Sequence, residues 1–297
     1  MKLNPGFVPA VGTPLDAEGN FIEASYKKQI EDQIAAGAVA ILSMGSMGQQ
    51  PYIKTGECAK VARAAVEAAA GRVPVFVGAM DVSVARAKER IAAMEDLDVA
   101  GFVFTTPFYY AVTPKQQISY FTEVAKATKH NILLYDLAVV TQSKITLPTV
   151  KTLIKTVPNL KGIKSADQQM FRLMKLDPEI PEDFIMVYSG LDTFDIAYRW
   201  GITTCLDGMM SCTPVNSKKL FDSMKEGKWD AAAEALNNIL KFRDYMAANE
   251  LWACYTIAMN LLGYEGSFGP DYVPKHGPEW IPEVRKQLEM IGEPVIA

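Results

Sequence analysis

The 297 residues are 49% hydrophobic and 22% charged, an ordinary globular composition with enough chain to bury one large core or two medium ones without disulfides. The net charge of −4 leaves no electrostatic footprint for nucleic acid or an anionic membrane, and no apolar run is long enough to span a bilayer. Only two histidines are present, His130 ahead of a predicted strand and His276 in a proline-flanked loop, which argues against a Ser-His-Asp triad or a multi-histidine metal site.

Strand and helix patterns alternate from the start. Residues 1–6 are too polar and broken for a signal peptide. Residues 7–14 form a first predicted strand, followed by an amphipathic helix over 22–37 that a glycine closes. Strands at 39–44 and 74–80 bracket an Ala-rich helix over 54–71, and a third helix covers 82–97. After the strand at 101–107, Thr113-Pro114 opens a helix with Thr at N-cap and Pro at the first helical position. Strands follow at 131–137, 160–167, 184–190 and 203–209, with helices at 147–157, 168–175, 193–200 and 216–226. Eight such units with near-continuous apolar strands predict a (β/α)8 TIM barrel rather than an open doubly wound sheet. The remainder is helical, at 229–249, 251–262 and 282–291. The expected organisation is therefore a catalytic barrel over 1–227 and a helical extension over 228–297, packed together. The four cysteines, Cys58, Cys205, Cys212 and Cys254, lack metal-type spacing. They read as reduced thiols of a cytoplasmic protein.

Barrel enzymes work at the C-terminal ends of their strands. Those ends carry Gly12-Thr13-Pro14, then Gly45-Ser46-Met47-Gly48-Gln49-Gln50, then Asp81. Thr105-Thr106-Pro107-Phe108-Tyr109-Tyr110 follows strand 4, and Tyr135-Asp136 closes strand 5. Lys164 lies in strand 6, Ser189-Gly190-Leu191-Asp192 after strand 7 and Leu206-Asp207-Gly208 at strand 8. A lysine is rarely buried unless paired or employed; burial in general disfavours an ammonium, and a neutral amine is a nucleophile. Tyr135 stands at the matching place in the preceding strand, so in a parallel sheet the phenol would face the amine across ~5 Å. The alternative for Lys164 is a stem that packs while its head reaches solvent. The Ser46 loop offers backbone N–H groups to an anion. Taken together, the loop, the hydroxyls and the amine fit a small 2-oxo acid, carboxylate at Ser46 and carbonyl at Lys164.

Gly45-Ser46-Met47-Gly48-Gln49, Pro107-Phe108-Tyr109-Tyr110, Tyr135-Asp136 and Gly162-Ile163-Lys164, in this order and spacing, resemble the N-acetylneuraminate lyase / dihydrodipicolinate synthase family of pyruvate-dependent class I aldolases. The resemblance implies Lys164 as Schiff-base lysine and Tyr135 as proton carrier. It also implies that Ser46 links Tyr135 to a Tyr109 supplied by a neighbouring subunit in a homotetramer, a dimer of tight dimers. Met47, Gly48, Thr13, Gly190, Leu206 and Asp207 would bind substrate, with no cofactor, no metal and no nucleic-acid or membrane partner. The departures bear on the substrate. Met47 replaces the family's second hydroxyl at the carboxylate loop, one hydrogen bond fewer, worth roughly 1 kcal/mol. Gln49 replaces a Glu, Asp136 an Asn, and Asp207 a residue that is usually Ser. Residues 137–142 lack the arginine that grips the partner's carboxylate in the synthase branch. Ala166 and Thr193 replace polar contacts of the lyase branch. The expected activity is a Schiff-base aldolase or lyase on pyruvate or a related 2-oxo acid. A deoxy-keto-sugar acid dehydratase by the same imine, a metal-dependent barrel using Asp81, Asp136, Asp192 and Asp207, and a non-catalytic 2-oxo-acid binder are the alternatives.

Overall fold

A computed structural model of the chain describes residues 3–296. Residues 1, 2 and 297, which belong to the expected spans 1–227 and 228–297 and in part to the stretch weighed as a signal peptide, lie outside the described residues. The strands are β1 (Gly6–Pro9), β2 (Ile41–Ser43), β3 (Val75–Gly78), β4 (Gly101–Thr105), β5 (Ile132–Tyr135), β6 (Leu160–Ser165), β7 (Ile185–Tyr188) and β8 (Thr204–Asp207). All pair in parallel in the order β1-β8-β7-β6-β5-β4-β3-β2. Between β1 and β2 the ring closes on one parallel bridge, Ala10 to Leu42, with the Val39 N–H donating to the Phe7 carbonyl at 3.0 Å and the Val11 N–H to the Leu42 carbonyl at 3.1 Å. The expected (β/α)8 TIM barrel is thus the fold, and helices follow it at the C-terminal end of the chain.

Alternation along the strands sorts the core into two layers. Val8, Leu42, Phe76, Val103, Leu133, Tyr135, Val187 and Leu206 fill the barrel interior, while Phe7, Ile41, Phe102, Phe104, Ile132, Leu134 and Ile163 face the surrounding helices. The period of two within each strand explains why Leu133 and Tyr135 point inward and Ile132 and Leu134 outward. Thr113 caps the helix Pro114–Ala125 as expected, and Gln116, which the sequence reading did not single out, returns the bond as a reciprocal cap; Gly37 ends the helix Glu23–Ala35 with φ +98°.

The strands are shorter than the apolar runs predict, and β1 departs most. It stops at Pro9 rather than at Pro14. Beyond the Ala10 bridge, side chains replace the ladder: the Gly12 N–H donates to Gln29 Oε1 at 2.9 Å, and Gln29 Nε2 returns a bond to the Gly12 carbonyl at 3.1 Å. Strand β5 likewise ends at Tyr135, and a helical turn, Ala138–Thr141, absent from the periodicity, follows it. The C-terminal helices are Trp229–Ala248, Leu251–Leu261 and Ile281–Met290. The first of them packs along Pro214–Lys225, which brings Arg243 and Leu251 to the mouth of the barrel.

Candidate active site

Strands β5 and β6 are in register at Tyr135 and Lys164. Both residues follow the inward phase of the barrel, and both are buried. Lys164 Nζ stands 4.0 Å from the centre of the Tyr135 ring, a contact in which the ring face meets the amine. The alternative of a lysine whose head reaches bulk solvent does not hold, since Lys164 is only 5% exposed. The Tyr135 hydroxyl lies 3.2 Å from Ser46 Oγ, so amine, phenol and alcohol form a chain from β6 through β5 to the loop after β2.

This chain borders a cavity of about 510 Å³ at the C-terminal ends of the strands, lined among others by Ser46, Met47, Tyr135, Lys164, Ser189 and Asp207. Its size is that of pockets that enclose a small ligand. The Ser46, Met47 and Gly48 N–H groups donate to no other group among the described residues, which leaves them available to an anion. The Met47 side chain lies across Gly208: a Cβ at position 208 would come within 1.9 Å of Met47 Cγ. Gly208 has an ordinary helical φ of −68°, so it is the space, not the backbone angle, that requires glycine here. A thioether therefore forms the wall at this point of the loop.

Asp207 is partly buried at the end of β8 and accepts the Met209 N–H at 2.9 Å. Burial raises its pKa, against the opposing pull of that hydrogen bond and of Lys164. Asp136 does not face the cavity as a free carboxylate. It takes hydrogen bonds from Ser165 Oγ at 2.7 Å, the Ile145 N–H at 3.1 Å and the Lys144 ammonium. Lys144 also reaches Asp167 at 2.9 Å. Burial works against its charge, but the two carboxylates outweigh that and hold its pKa above the ordinary value. At the mouth of the same cavity Arg243 grips Asp192 bidentately at 2.7 and 2.8 Å. That pair raises the pKa of Arg243 and lowers that of Asp192.

Of the other predicted site residues, Thr13, Gly190, Leu206, Gln49, Tyr109 and Thr193 do not line this cavity. Thr13 is fully buried and its hydroxyl donates to the Gly48 carbonyl at 2.7 Å, which pins the Ser46 loop to the end of β1. Gly190 makes room for the Tyr188 hydroxyl, which would lie 2.5 Å from an added Cβ. Leu206 packs in the barrel interior. Gln49 is buried in a left-handed conformation, φ 56°, beneath the loop. Tyr109 is 77% exposed and meets Tyr110 edge-on at 4.8 Å. Thr193 spends its hydroxyl on the Tyr188 phenol at 2.6 Å.

The four carboxylates weighed as a metal site are dispersed. Asp81 is bound by Arg86 and Arg90 at 2.7 and 2.8 Å, Asp192 by Arg243 and Asp136 by Lys144. Among the described residues no group of three or more His, Cys, Asp or Glu side chains converges as a metal site would require. Sequence reading missed Lys144 and Arg243. A carboxylate in place of Asn at 136, beside a lysine-bearing strand, signals a need for a counter-charge, and Lys144 is the next cation along the chain. Arg243 carries no such signal, since its partner lies 51 positions away.

An inward lysine and tyrosine at the strand ends of an eight-stranded parallel barrel define the class I aldolase type of lyase. The model of the dihydrodipicolinate synthetase family matches residues 4–268, and the chain belongs to that family, which the N-acetylneuraminate lyases share. It is 29% identical over 256 residues to a 4-hydroxy-tetrahydrodipicolinate synthase of Alkaliphilus oremlandii, covering 86% of this chain and 87% of that one. It is also 31% identical over 187 residues to the synthase of the same name from Escherichia coli, 63% of either chain. In three dimensions the chain is similar to a prophage protein of the dihydrodipicolinic acid synthase family from E. coli K12, solved with pyruvate, with a TM-score of 0.87 at 21% identity and coverage of 97% and 98%. Proteus mirabilis N-acetylneuraminate lyase is also similar, at TM-score 0.87 and 18% identity over 98% of this chain and 99% of that one. At such identities these two structures speak to the fold alone.

Proposed function

We propose that the protein is a Schiff-base lyase that makes or breaks the C–C bond beside a pyruvate unit, with Lys164 as the imine-forming amine. The observation that carries this reading is the register of Tyr135 with Lys164, which sets the amine 4.0 Å over the phenol ring in a buried cavity. The carboxylate of the 2-oxo acid is held at the Ser46 and Met47 N–H groups, and the Lys164 amine adds to the C2 carbonyl. Tyr135, linked to Ser46 at 3.2 Å, carries the amine's proton to the carbinolamine oxygen, and water leaves. In the cleavage direction a base takes the proton of the C4 hydroxyl and the C3–C4 bond breaks. Its electrons flow to the iminium nitrogen, an aldehyde departs, and the enamine is protonated at C3 and hydrolysed to pyruvate.

Two finer readings belong to the same proposal. Tyr109 acts on the Ser46–Tyr135 pair of a neighbouring subunit in a homotetramer; its 77% exposure and the edge-on pair with Tyr110 support a contact surface there. The substrate is neither aspartate semialdehyde with pyruvate nor N-acetylneuraminate. Among residues 137–142 no arginine is present, Ala166 offers no hydroxyl, and the Thr193 hydroxyl is already engaged. Steady-state kinetics on 4-hydroxy-2-oxo acids test the whole reading. Lys164→Arg should abolish turnover, because guanidinium cannot be deprotonated to attack. Tyr135→Phe should cost ~10²–10⁴-fold in kcat. Wild-type-like turnover by either variant would refute it.

A further inference from the structure

The half of the cavity beyond Lys164 is walled differently from the half that faces the Ser46 loop. Leu137, Ala138 and Val139 come from the turn after β5, Leu251 from the C-terminal helices, and Met209 from the end of β8. Val139 is 92% exposed and its neighbour Val140 56%. Val139 is thus an apolar group held at the mouth of the pocket with little of the described chain covering it.

The charges at the same mouth are already spent. Lys144 lies between two carboxylates, Asp136 and Asp167. Arg243 lies between another two, Asp192 and Asp244, at 2.7 and 2.8 Å. Four acids face two bases, so a second carboxylate on a substrate would enter a region of net negative charge and would have to displace a bidentate partner from Arg243. A charge brought there without a free partner is disfavoured, and the hydroxyls of a polyol would have to share carboxylate oxygens that the two bases already hold. Of the polar groups on this side, Ser189 and Asp207 line the cavity outside the ion pairs, and Asp207 adds a further acid to the four.

Resting on the Schiff-base reading above, we infer that the carbonyl partner is an uncharged aldehyde with an apolar substituent, and that Val139 and Leu251 set this specificity. The enamine of pyruvate on Lys164 would attack the aldehyde carbon, forming one C–C bond while the aldehyde oxygen takes up a proton. Water then hydrolyses the imine, releasing a 4-hydroxy-2-oxo acid with an apolar tail and restoring the Lys164 amine.

The test starts with borohydride and pyruvate on the wild-type protein. Absence of an adduct on Lys164 refutes the Schiff-base reading itself. With the adduct in hand, pyruvate-dependent condensation is compared for benzaldehyde and butyraldehyde, for the polyol glyceraldehyde and for the acid succinic semialdehyde. The inference expects kcat/KM for the two apolar aldehydes to exceed that for the others by ~10-fold or more, the discrimination a pocket wall supplies. Val139→Arg, at a position exposed enough to tolerate the change, should shift the acid-to-apolar ratio toward the acid by ~10-fold or more. Adduct formation without condensation of either apolar aldehyde overturns the inference while leaving the imine standing. Equal or better use of the acid or the polyol overturns it as well, and so does a ratio that Val139→Arg leaves unmoved.

Discussion

Lys164, Tyr135 and Ser46 were legible because each sits at a strand end whose position the alternation of elements had already fixed. Their types then sufficed to name an amine, a phenol and an alcohol, and the structure brings them to one cavity. Thr13, Gly190 and Leu206 were expected as substrate contacts from the family resemblance, yet none of them lines the cavity, because a motif position does not say which way the chain turns next. Asp207 carries a prediction of its own. Its pKa in the folded protein is raised above the ordinary 3.8 by burial. A carboxyl shifted this way contributes stability below its unfolded value, and that contribution is lost as pH rises through the folded value. At neutral pH the charge is therefore a cost. Asn keeps an acceptor for the Met209 N–H, so Asp207→Asn should be more stable than the wild type at pH 7, with the difference vanishing below about pH 4. Denaturant melts at both pH values measure it. A variant that is less stable at pH 7 would mean that the charge is stabilised by its surroundings instead.

At the scale of elements, the eight strands and their helices were readable from periodicity, and their ends were not. Strand β1 illustrates the reason: residues 10–14 keep an apolar pattern, but the Gln29 amide and the Thr13 hydroxyl take over the hydrogen bonds a strand would make. Those bonds span 17 to 35 positions, beyond any local window. The loops after β2 and β8 are coupled in the same hidden way through Met47 on Gly208. Gly208→Ala should force Met47 off its seat at ~1–3 kcal/mol, the usual price of overpacking, and lower turnover by displacing the Ser46 loop. Met47→Ala in the same chain should recover most of that loss. A double-mutant cycle with no coupling between the two positions would contradict the contact.

For the whole molecule, closure of the parallel sheet on itself gathers the C-terminal ends of all eight strands at one end of the barrel, and the cavity lies there. The chain's last helices complete that mouth with Arg243 and Leu251, a contribution that no barrel pattern foretells because it comes from outside the eight repeats. The aromatic pair Tyr109 and Tyr110, at 77% and 75% exposure, is what a shared site between subunits would leave uncovered in a single chain. Sedimentation is expected to give an oligomer whose dissociation abolishes activity, and Tyr109→Phe should slow turnover with little change in imine formation. A fully active monomer would contradict this.

Every step of the proposed chemistry passes through one nitrogen. Borohydride reduction in the presence of pyruvate, followed by peptide mass analysis, asks directly whether that nitrogen is Lys164 Nζ. A single reduced pyruvyl unit on the peptide that contains Lys164, absent from Lys164→Arg, is the result the buried amine over the Tyr135 ring predicts. No adduct with pyruvate or any other 2-oxo acid, or an adduct on the neighbouring Lys161 instead, would contradict it.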